Sequence, residues 1–530
     1  MINKKFNLKQ LLIKYPYLTI GFFITVFFIV CAIYLPIQFE ENDDITMLLL
    51  ASGKYSGTPE PHLIYINYVY GLLVCGLYWI TREIEWYSIL FSLFHIISIT
   101  VIIRQLLSVI EHIILRLSVI VFLLFFEALF IVNFQFTTTA TLLTLSGIIL
   151  LLLSKLKWEH IGGVVLIVTG ALIRLESGLM VILLSMPLFV FSEYVSKKRL
   201  FLLISAVVVL FTCVIINSAS YKYSSWDYFN RFRETKAKII DNPNTYAFFY
   251  MIKDKNRADD FLLFVNSLFE TNIMSNSKLE NYSKLINEKT FKEQFIETIE
   301  VFKSLIIGNL NKYLPPLLYI MYVIVILFLM KFEFKNYITL LLLYALAIVI
   351  VCYIPVFRTL KYRAFASILL IMIVYLFCFL KTRNILLVSV SVVVLFLFTT
   401  YLCRMINNSI LFNKKKNREF IHEEKLLNKV NYKIVPYGGS FLTECYNPFH
   451  VSEQWNKNVF SLALVGSPLN KNICNTYLDY VNGSVLFMDN LSLQSIPKML
   501  KESIGRNYNV NVTYRVVIQD SSNAIVQFYK

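Results

Sequence analysis

Long apolar runs separated by short polar connectors organise this chain. Crossing the hydrocarbon core takes about 20 mostly apolar residues per helix. Eleven runs meet or approach that length: 15–37, 86–104, 113–132, 138–154, 160–173, 177–193, 200–218, 313–330, 336–354, 364–380 and 384–402. Residues 62–80 are ambiguous, apolar enough to cross yet rich in Tyr and carrying Asn67 and two glycines. Orientation arbitrates. If 62–80 crosses, Lys155, Lys157 and Lys197-Lys198-Arg199 fall outside, against the excess of Lys and Arg on cytoplasmic connectors. If it lies on the outer surface or re-enters, Lys4, Lys5, Lys9, Lys14, Arg104, Arg116, Lys155, Lys157, Lys197–Arg199, Lys331, Lys335, Lys381 and Arg383 are all cytoplasmic. The second arrangement is therefore expected, with Trp79, Trp86 and Trp226 at the outer interface and Trp158 at the inner one.

That topology turns the remaining polar clusters outward: Glu40–Asp44, Thr81–Glu85, Asn133–Gln135, Arg174–Glu176 and Arg358–Arg363. Two polar stretches complete the chain, an external insert over 219–312 with a turn at Asp241–Asn244 and helical periodicity over 259–306, and a C-terminal part, 403–530. In the latter, Val430–Val435, Ser461–Val465, Ser484–Phe487, Val510–Ile518 and Ala524–Tyr529 read as strands and Ile496–Ile504 as a helix. The basic run Lys414-Lys415-Lys416-Asn417-Arg418 reads as a solvated linker before it. The expected fold class is an α-helical polytopic membrane protein of about 11 transmembrane helices over residues 1–402, with a small C-terminal extracytoplasmic α/β domain. The first apolar run is too long for a cleavable signal and should remain as a signal anchor, the N-terminus cytoplasmic.

Composition agrees. Apolar residues are 57% of 530 and charged ones only 16%, against about 25% charged in soluble proteins. The formal net charge of +16 would raise nucleic acid as a partner in a soluble chain; here the cations sit in connectors, so the expected partner is the bilayer and no nucleic acid. The eight cysteines show no metal-ligand spacing, and a Cys445–Cys474 bridge stays open. No Walker loop, GxSxG, HExxH or CxxC pair occurs, which argues against nucleotide hydrolysis, serine hydrolysis and thiol redox chemistry.

Carboxylates at the mouth of an apolar bundle are costly to place and mark a functional site by default. Asp43 or Asp44, turned into the bundle, could take the proton of a hydroxyl nucleophile or hold a divalent cation, for which hard oxygen ligands suit; the alternative is an acidic solvated loop. Arg358, Lys361 and Arg363 suit a phosphate, or anchor the outer interface. Arg174 with Glu176 is either a second phosphate contact or a structural ion pair at a helix break. Glu127 either reaches the cavity or sits hydrogen-bonded within its helix, His95 reads as a packed residue, and His62 as a substrate or proton-transfer contact. Trp226, Tyr228, Asn230, Arg231 and Arg233 form either a sugar-binding surface or an interfacial anchor.

An N-terminal anchor, an external loop (38–61) bearing Asp43-Asp44, and Pro59-Glu60-Pro61-His62-Leu63 leading into a surface helix (62–80) together resemble the GT-C superfamily of integral membrane glycosyltransferases, here of bacterial type. The resemblance covers roughly residues 15–400. It implies hexosyl transfer from a polyprenyl-phosphate-linked sugar to an acceptor hydroxyl on the outer face of the cell membrane, with Asp43 or Asp44 as base. Arg174, Arg358 and Arg363 match no fixed motif and are assigned to the carrier phosphate by chemistry, with Lys361, Glu176 and His62 beside them. The chain lacks a WWDYG-like motif and a large C-terminal domain, so the expected acceptor is a cell-envelope glycan or polymer rather than protein. The alternatives are a polysaccharide polymerase or ligase of another membrane fold, and a non-enzymatic transporter of lipid-linked glycan.

Overall fold

The computed structural model describes residues 14–191, 196–287, 334–379 and 384–530, apart from 241, 243, 267, 269–273, 358–361 and short stretches between 439 and 482. The expected span 313–330, Arg358, Lys361 and most of the expected strand 461–465 lie outside them.

Apolar runs become helices because a segment in hydrocarbon must satisfy every backbone N–H and C=O internally. The helices are α1 (Pro16–Tyr34), α2 (Asn42–Ser52), α3 (Tyr68–Ile80), α4 (Trp86–Val109), α5 (Ile113–Val132), α6 (Phe136–Leu153), α7 (Lys157–Ile173), α8 (Leu175–Phe191) and α9 (Lys197–Lys222). After a polar insert come α14 (Phe334–Phe357), α15 (Tyr362–Phe379) and α16 (Ile385–Leu427). Among the described residues six helices, α1, α4, α5, α6, α9 and α16, are long and apolar enough to cross a membrane; α3, α8, α14 and α15 contain shorter apolar stretches. The protein is thus a helical membrane protein with a small C-terminal sheet.

At the centre lies α6, and close approach of α7 to it requires glycine. A Cβ on Gly147 would lie 2.5 Å from the Gly163 carbonyl oxygen, and one on Gly170 would strike Thr144 Oγ1. Small residues at such contacts let helix backbones meet where lipid supplies no hydrophobic drive.

Residues 62–80 divide. Pro59–Asn67 is an extended strap, and α3 begins where Asn67 accepts from Val69 N and donates its own N–H to the last turn of α7, at Leu172 O, 2.9 Å away. Its thirteen residues rise about 20 Å, short of the ~30 Å core. Just past its end, Arg82 donates to Gly57 O in the loop before the strap. Asn67 thus ties the start of α3 to the α7–α8 joint, and Arg82 ties the residues after it to the loop at Gly57. At the end of the bundle away from that joint, Tyr17, Arg104, Gln105, Ser154, Glu159 and Arg199 form a polar cluster: Gln105 donates to Tyr17 (2.7 Å) and Glu159 (3.2 Å), and Arg199 donates to the carbonyls of Leu152 and Ser154. Arg104 and Trp158 lie against the Tyr17 ring.

The expected linker Lys414–Arg418 is instead helix, because α16 runs 43 residues. Near Ser409–Asn413 this helix meets the chain around Pro36 and Asn133. There Asn413 donates to Pro36 O (3.1 Å) and Val132 O (3.2 Å), and Asn133 to Ser409 Oγ (3.1 Å). Lys414–Arg418 continue the same helix, which leads into the C-terminal sheet.

That sheet has the order β3 (Lys433–Pro436), β4 (Ser484–Asp489), β6 (Asn523–Tyr529), β5 (Thr513–Gln519), with β3 and β4 parallel and the rest antiparallel; α17 (Ile496–Tyr508) lies between β4 and β5 in sequence. Both faces of β4 are buried. Val485 and Phe487 join the core of the bundle, while Leu486 and Met488 join a second core with α17 and the insert helices α10 (Asp227–Ile240), α11 (Thr245–Met251), α12 (Lys255–Val265) and α13 (Asn276–Asn287). Insert and C-terminal part, read from sequence as separate soluble pieces, thus share one core. Asp260 on α12 pins them, accepting from Ser503 Oγ (2.7 Å) and Arg506 (3.2 Å) on α17.

Candidate functional site

Two short parallel strands, β1 (Gln38–Phe39) and β2 (Asn133–Phe134), bring the acidic segment to the entry of α6. Glu40 N–H extends this pairing to Phe134 O. The following turn starts α2, and Gly53 ends it at φ 72°, where a Cβ would also collide with the backbone of Thr58 and Pro59.

Helix phase separates the two aspartates. Asp44 points inward and is fully buried; its Oδ1 accepts from Tyr87 Oη (2.8 Å) and from Phe136 N (3.1 Å) in the first turn of α6. Its Oδ2 meets no hydrogen-bond partner. Burial, aided by neighbouring Asp43, holds its carboxyl well above the usual carboxylate range, although Tyr87, the Phe136 amide and Arg363 oppose the shift. Asp44 is a buried anchor that satisfies an exposed helix terminus. Asp43 lies at the half-buried rim.

Arg363, at the start of α15, is committed to carboxylates of the same segment. Its Nη1 pairs with Glu41 Oε1 at 2.8 Å; with the Gln135 amide turned to match its neighbours, the amide oxygen accepts from the same Nη1 at 2.7 Å and the nitrogen donates to Glu40 Oε2 at 3.0 Å. Gln135 is fully buried and gave no sequence signal beyond its place in a polar break.

Arg174, at the α7–α8 joint, shares the same rim. Its guanidinium sits 5.2 Å from the centroid of the Phe136 ring and 5.4 Å from that of Tyr65, and its Nε is 3.0 Å from Glu176 Oε2. Of the two readings of the Arg174–Glu176 pair, the ion pair is present, but Glu176 is 67% exposed and engages only Nε. Among the described residues nothing accepts from the two Nη groups of Arg174. Arg363, Asp44 and Arg174 thus meet around Gln135-Phe136.

The strap brings in residues that sequence reading placed elsewhere. His62 is enclosed by Trp226 (stacked, 5.1 Å), Tyr68 and Tyr221 (4.8 Å each), with Nδ1 2.5 Å from Glu60 Oε1 and Nε2 3.3 Å from Ser220 O. It is 8% exposed and latches the strap to the end of α9 and to Trp226 just before α10. Trp226 is 3% exposed, a buried residue and not an interfacial or sugar-binding one. Arg231 pairs in the open with Asp227. Ile64 adopts φ 64°, a left-handed conformation that costs a β-branched residue about 1–3 kcal/mol. Tyr221 Oη accepts from its N–H (3.2 Å), and Arg233 Nη1 donates to its carbonyl (2.7 Å). The strain delivers Tyr65 next to Phe136, ring on ring at 6.1 Å and 18°.

One turn deeper, His95 and Glu127 form a buried pair. Nδ1 of His95 is 2.9 Å from Glu127 Oε1, and Nε2 is 3.0 Å from Thr139 Oγ1. Thr139 donates its hydroxyl to Gln135 O, so it accepts from His95 and fixes a proton on Nε2. Glu127 is therefore hydrogen-bonded within the bundle, and His95 is its partner rather than an ordinary packed residue.

Cys445 carries a buried free thiol, which burial pushes up to about 12; Cys474 lies outside the described residues. Among the described residues no three His, Cys, Asp or Glu converge as a metal-holding group. Compared with known proteins, the chain matches no family model, no curated protein and no solved structure.

Proposed function

We propose that this chain is a membrane glycosyltransferase that moves a sugar from a polyprenyl-phosphate carrier to a hydroxyl of a cell-envelope glycan or polymer, at the extracytoplasmic end of the bundle. The observation that carries the reading is the convergence of carboxylates and guanidinium groups on Gln135-Phe136, at the end of the bundle away from the Tyr17–Arg104–Arg199 cluster.

Asp43 is the base. It lies at the half-buried rim, whereas Asp44 is sealed off and favours its proton. The acceptor hydroxyl gives its proton to Asp43 as its oxygen bonds to the anomeric carbon. The carbon–oxygen bond to the carrier breaks, and its electron pair leaves with the phosphate, where a fixed guanidinium stabilises the growing charge. Arg363 orients the acidic segment through Glu41 and Gln135, which leaves Arg174, with its two Nη groups unengaged among the described residues, to meet the phosphate. Binding energy from carrier and acceptor goes into alignment, because a hydroxyl held near in-line geometry needs little further activation.

The test is transfer of radiolabelled sugar from a polyprenyl-phosphate donor to envelope polymer, using full-length protein in proteoliposomes. Asp43→Asn should lower the rate at least ~100-fold with donor binding retained. Transfer at the wild-type rate in that variant would reject the base, and donor crossing the bilayer without any transfer would favour the transporter alternative.

A further inference from the structure

Among the described residues, two guanidinium groups lie around the Tyr65 ring. Arg174 and Arg233 each lie 5.4 Å from its centroid, so they stand at most about 11 Å apart and repel, being only partly screened in a half-buried setting. Neither charge is well compensated. Glu176 touches Arg174 only at Nε and is mostly in solvent. Among the described residues Arg233 makes no ion pair: its contacts are the Ile64 carbonyl and Asn230 Oδ1 (3.0 Å), and its Nε meets no partner. The nearest carboxylate on the strap, Glu60, is taken by His62.

The arrangement is also held in place before any ligand arrives. Arg174 is fixed by the helix break between α7 and α8, Arg233 by its bonds to the strap and to its own helix, and Tyr65 by the strained Ile64 and the Phe136 ring beneath Arg174. Unpartnered N–H donors from two arginines, facing a common ring with surplus positive charge, are complementary to a doubly charged oxyanion.

We infer that Arg174 and Arg233 clamp a phosphate group above Tyr65, with the external insert supplying the second arm through α10. The clamp itself stands on this geometry; that its phosphate is the one carried by a polyprenyl chain rests on the proposed function. It also divides the labour of the rim. Arg363 orders the carboxylates, and the Arg174–Arg233 pair receives the leaving group.

The test is titration calorimetry on the full-length protein in nanodiscs with three probes: inorganic phosphate, glycerol 3-phosphate and farnesyl phosphate. Farnesyl phosphate should bind saturably, and Arg174→Gln and Arg233→Gln should each weaken it at least tenfold. Arg233→Lys, which keeps the charge and loses the fork, should fall between wild type and Arg233→Gln. Lys415→Gln, on the exposed face of α16, should change nothing. If the arginine variants bind all three probes as wild type does, or if none binds saturably, the clamp is overturned. If the three probes bind equally and all lose affinity in the variants, the clamp stands and the lipid source fails, and with it the support it lends to glycosyl transfer. A misfolded Gln variant is recognised by its melting curve, and the Lys variant then decides.

Discussion

Asp43 and Asp44 are adjacent in sequence and differ in surroundings, the first half-buried and the second fully buried. The first turn of α2 buries Asp44 against Tyr87 and Phe136, where an ionised carboxyl is penalised and the neutral form is favoured. A carboxyl that carries a proton is close in shape and bonding to a carboxamide. Asp44→Asn should therefore keep the bonds from Tyr87 and the Phe136 amide and melt near wild type in detergent. Asp44→Ala leaves both donors buried without an acceptor and should cost about 1–3 kcal/mol. An Asn variant as unstable as the Ala variant would show that the buried carboxyl is ionised. The sequence exposes the acidic pair, because charges beside an apolar run stand out, but not the division between its members, which depends on the phase of one helix against partners a hundred residues away. Tyr65 is hidden in the sequence, and Gln135 and Arg233 show there only as a polar break and as part of a sugar-binding or anchoring surface, for a different reason. Each is an ordinary residue locally, and the strained turn at Ile64, the β1–β2 pairing and the docking of α10 give them their places.

Helices were the most legible level, since a run of apolar side chains in lipid has no other way to satisfy its backbone. The end of α16 was missed on the same physics. Hydropathy falls at Arg404 because the solvent changes, and the helix continues past it because Lys, Glu, Arg and Leu all favour helix. Hydropathy equally cannot see which faces touch. The α6–α7 contact rests on Gly147, Gly163 and Gly170, none of which sits at a turn or takes a left-handed φ. Gly163→Leu should force these two helices apart. With its Cβ site 2.8 Å from the Gly147 carbonyl, the substitution should cost about 1–3 kcal/mol, the range for overpacking. Gly162→Leu, one residue away in open space, should leave the melting temperature unchanged. Equal losses in the two variants would mean that the helix pair is not tightly packed there.

A capping unit made from the insert and the C-terminal sheet sits on the bundle, meeting it along the second half of α16 and where Val485 and Phe487 enter the bundle core. Four carboxylates gather at this joint. Lys416 pairs with Glu444 at 2.7 Å and His422 with Asp520 at 2.6 Å, and Glu419 faces Lys415 at 3.8 Å. Glu423, 7% exposed, receives among the described residues a single 3.3 Å bond, from Leu442 N. Burial pushes its carboxyl up to about 7, with Glu419, Glu444 and Asp520 adding to the rise and the Leu442 amide opposing it. The folded joint thus holds a proton that the unfolded chain, at an ordinary 4.5, releases sooner. Between those values the folded state binds more protons, so this group's contribution is fully present below pH 4.5, declines as pH rises towards 7, and is flat above it. A shift of that size caps the effect at about 3 kcal/mol. Glu423→Gln keeps an acceptor for Leu442 and has no proton to lose. Its melting temperature should therefore rise relative to wild type as pH goes from 5 to 8, with nearly all of the gain reached by pH 7. A difference that stays constant over that range would mean that Glu423 is already ionised at pH 5 and that the joint is insensitive to protons. If the gain appears, the capping unit is held most firmly on the bundle in mildly acidic surroundings and loosens towards neutrality, and α10, which carries Arg233, belongs to the part that loosens.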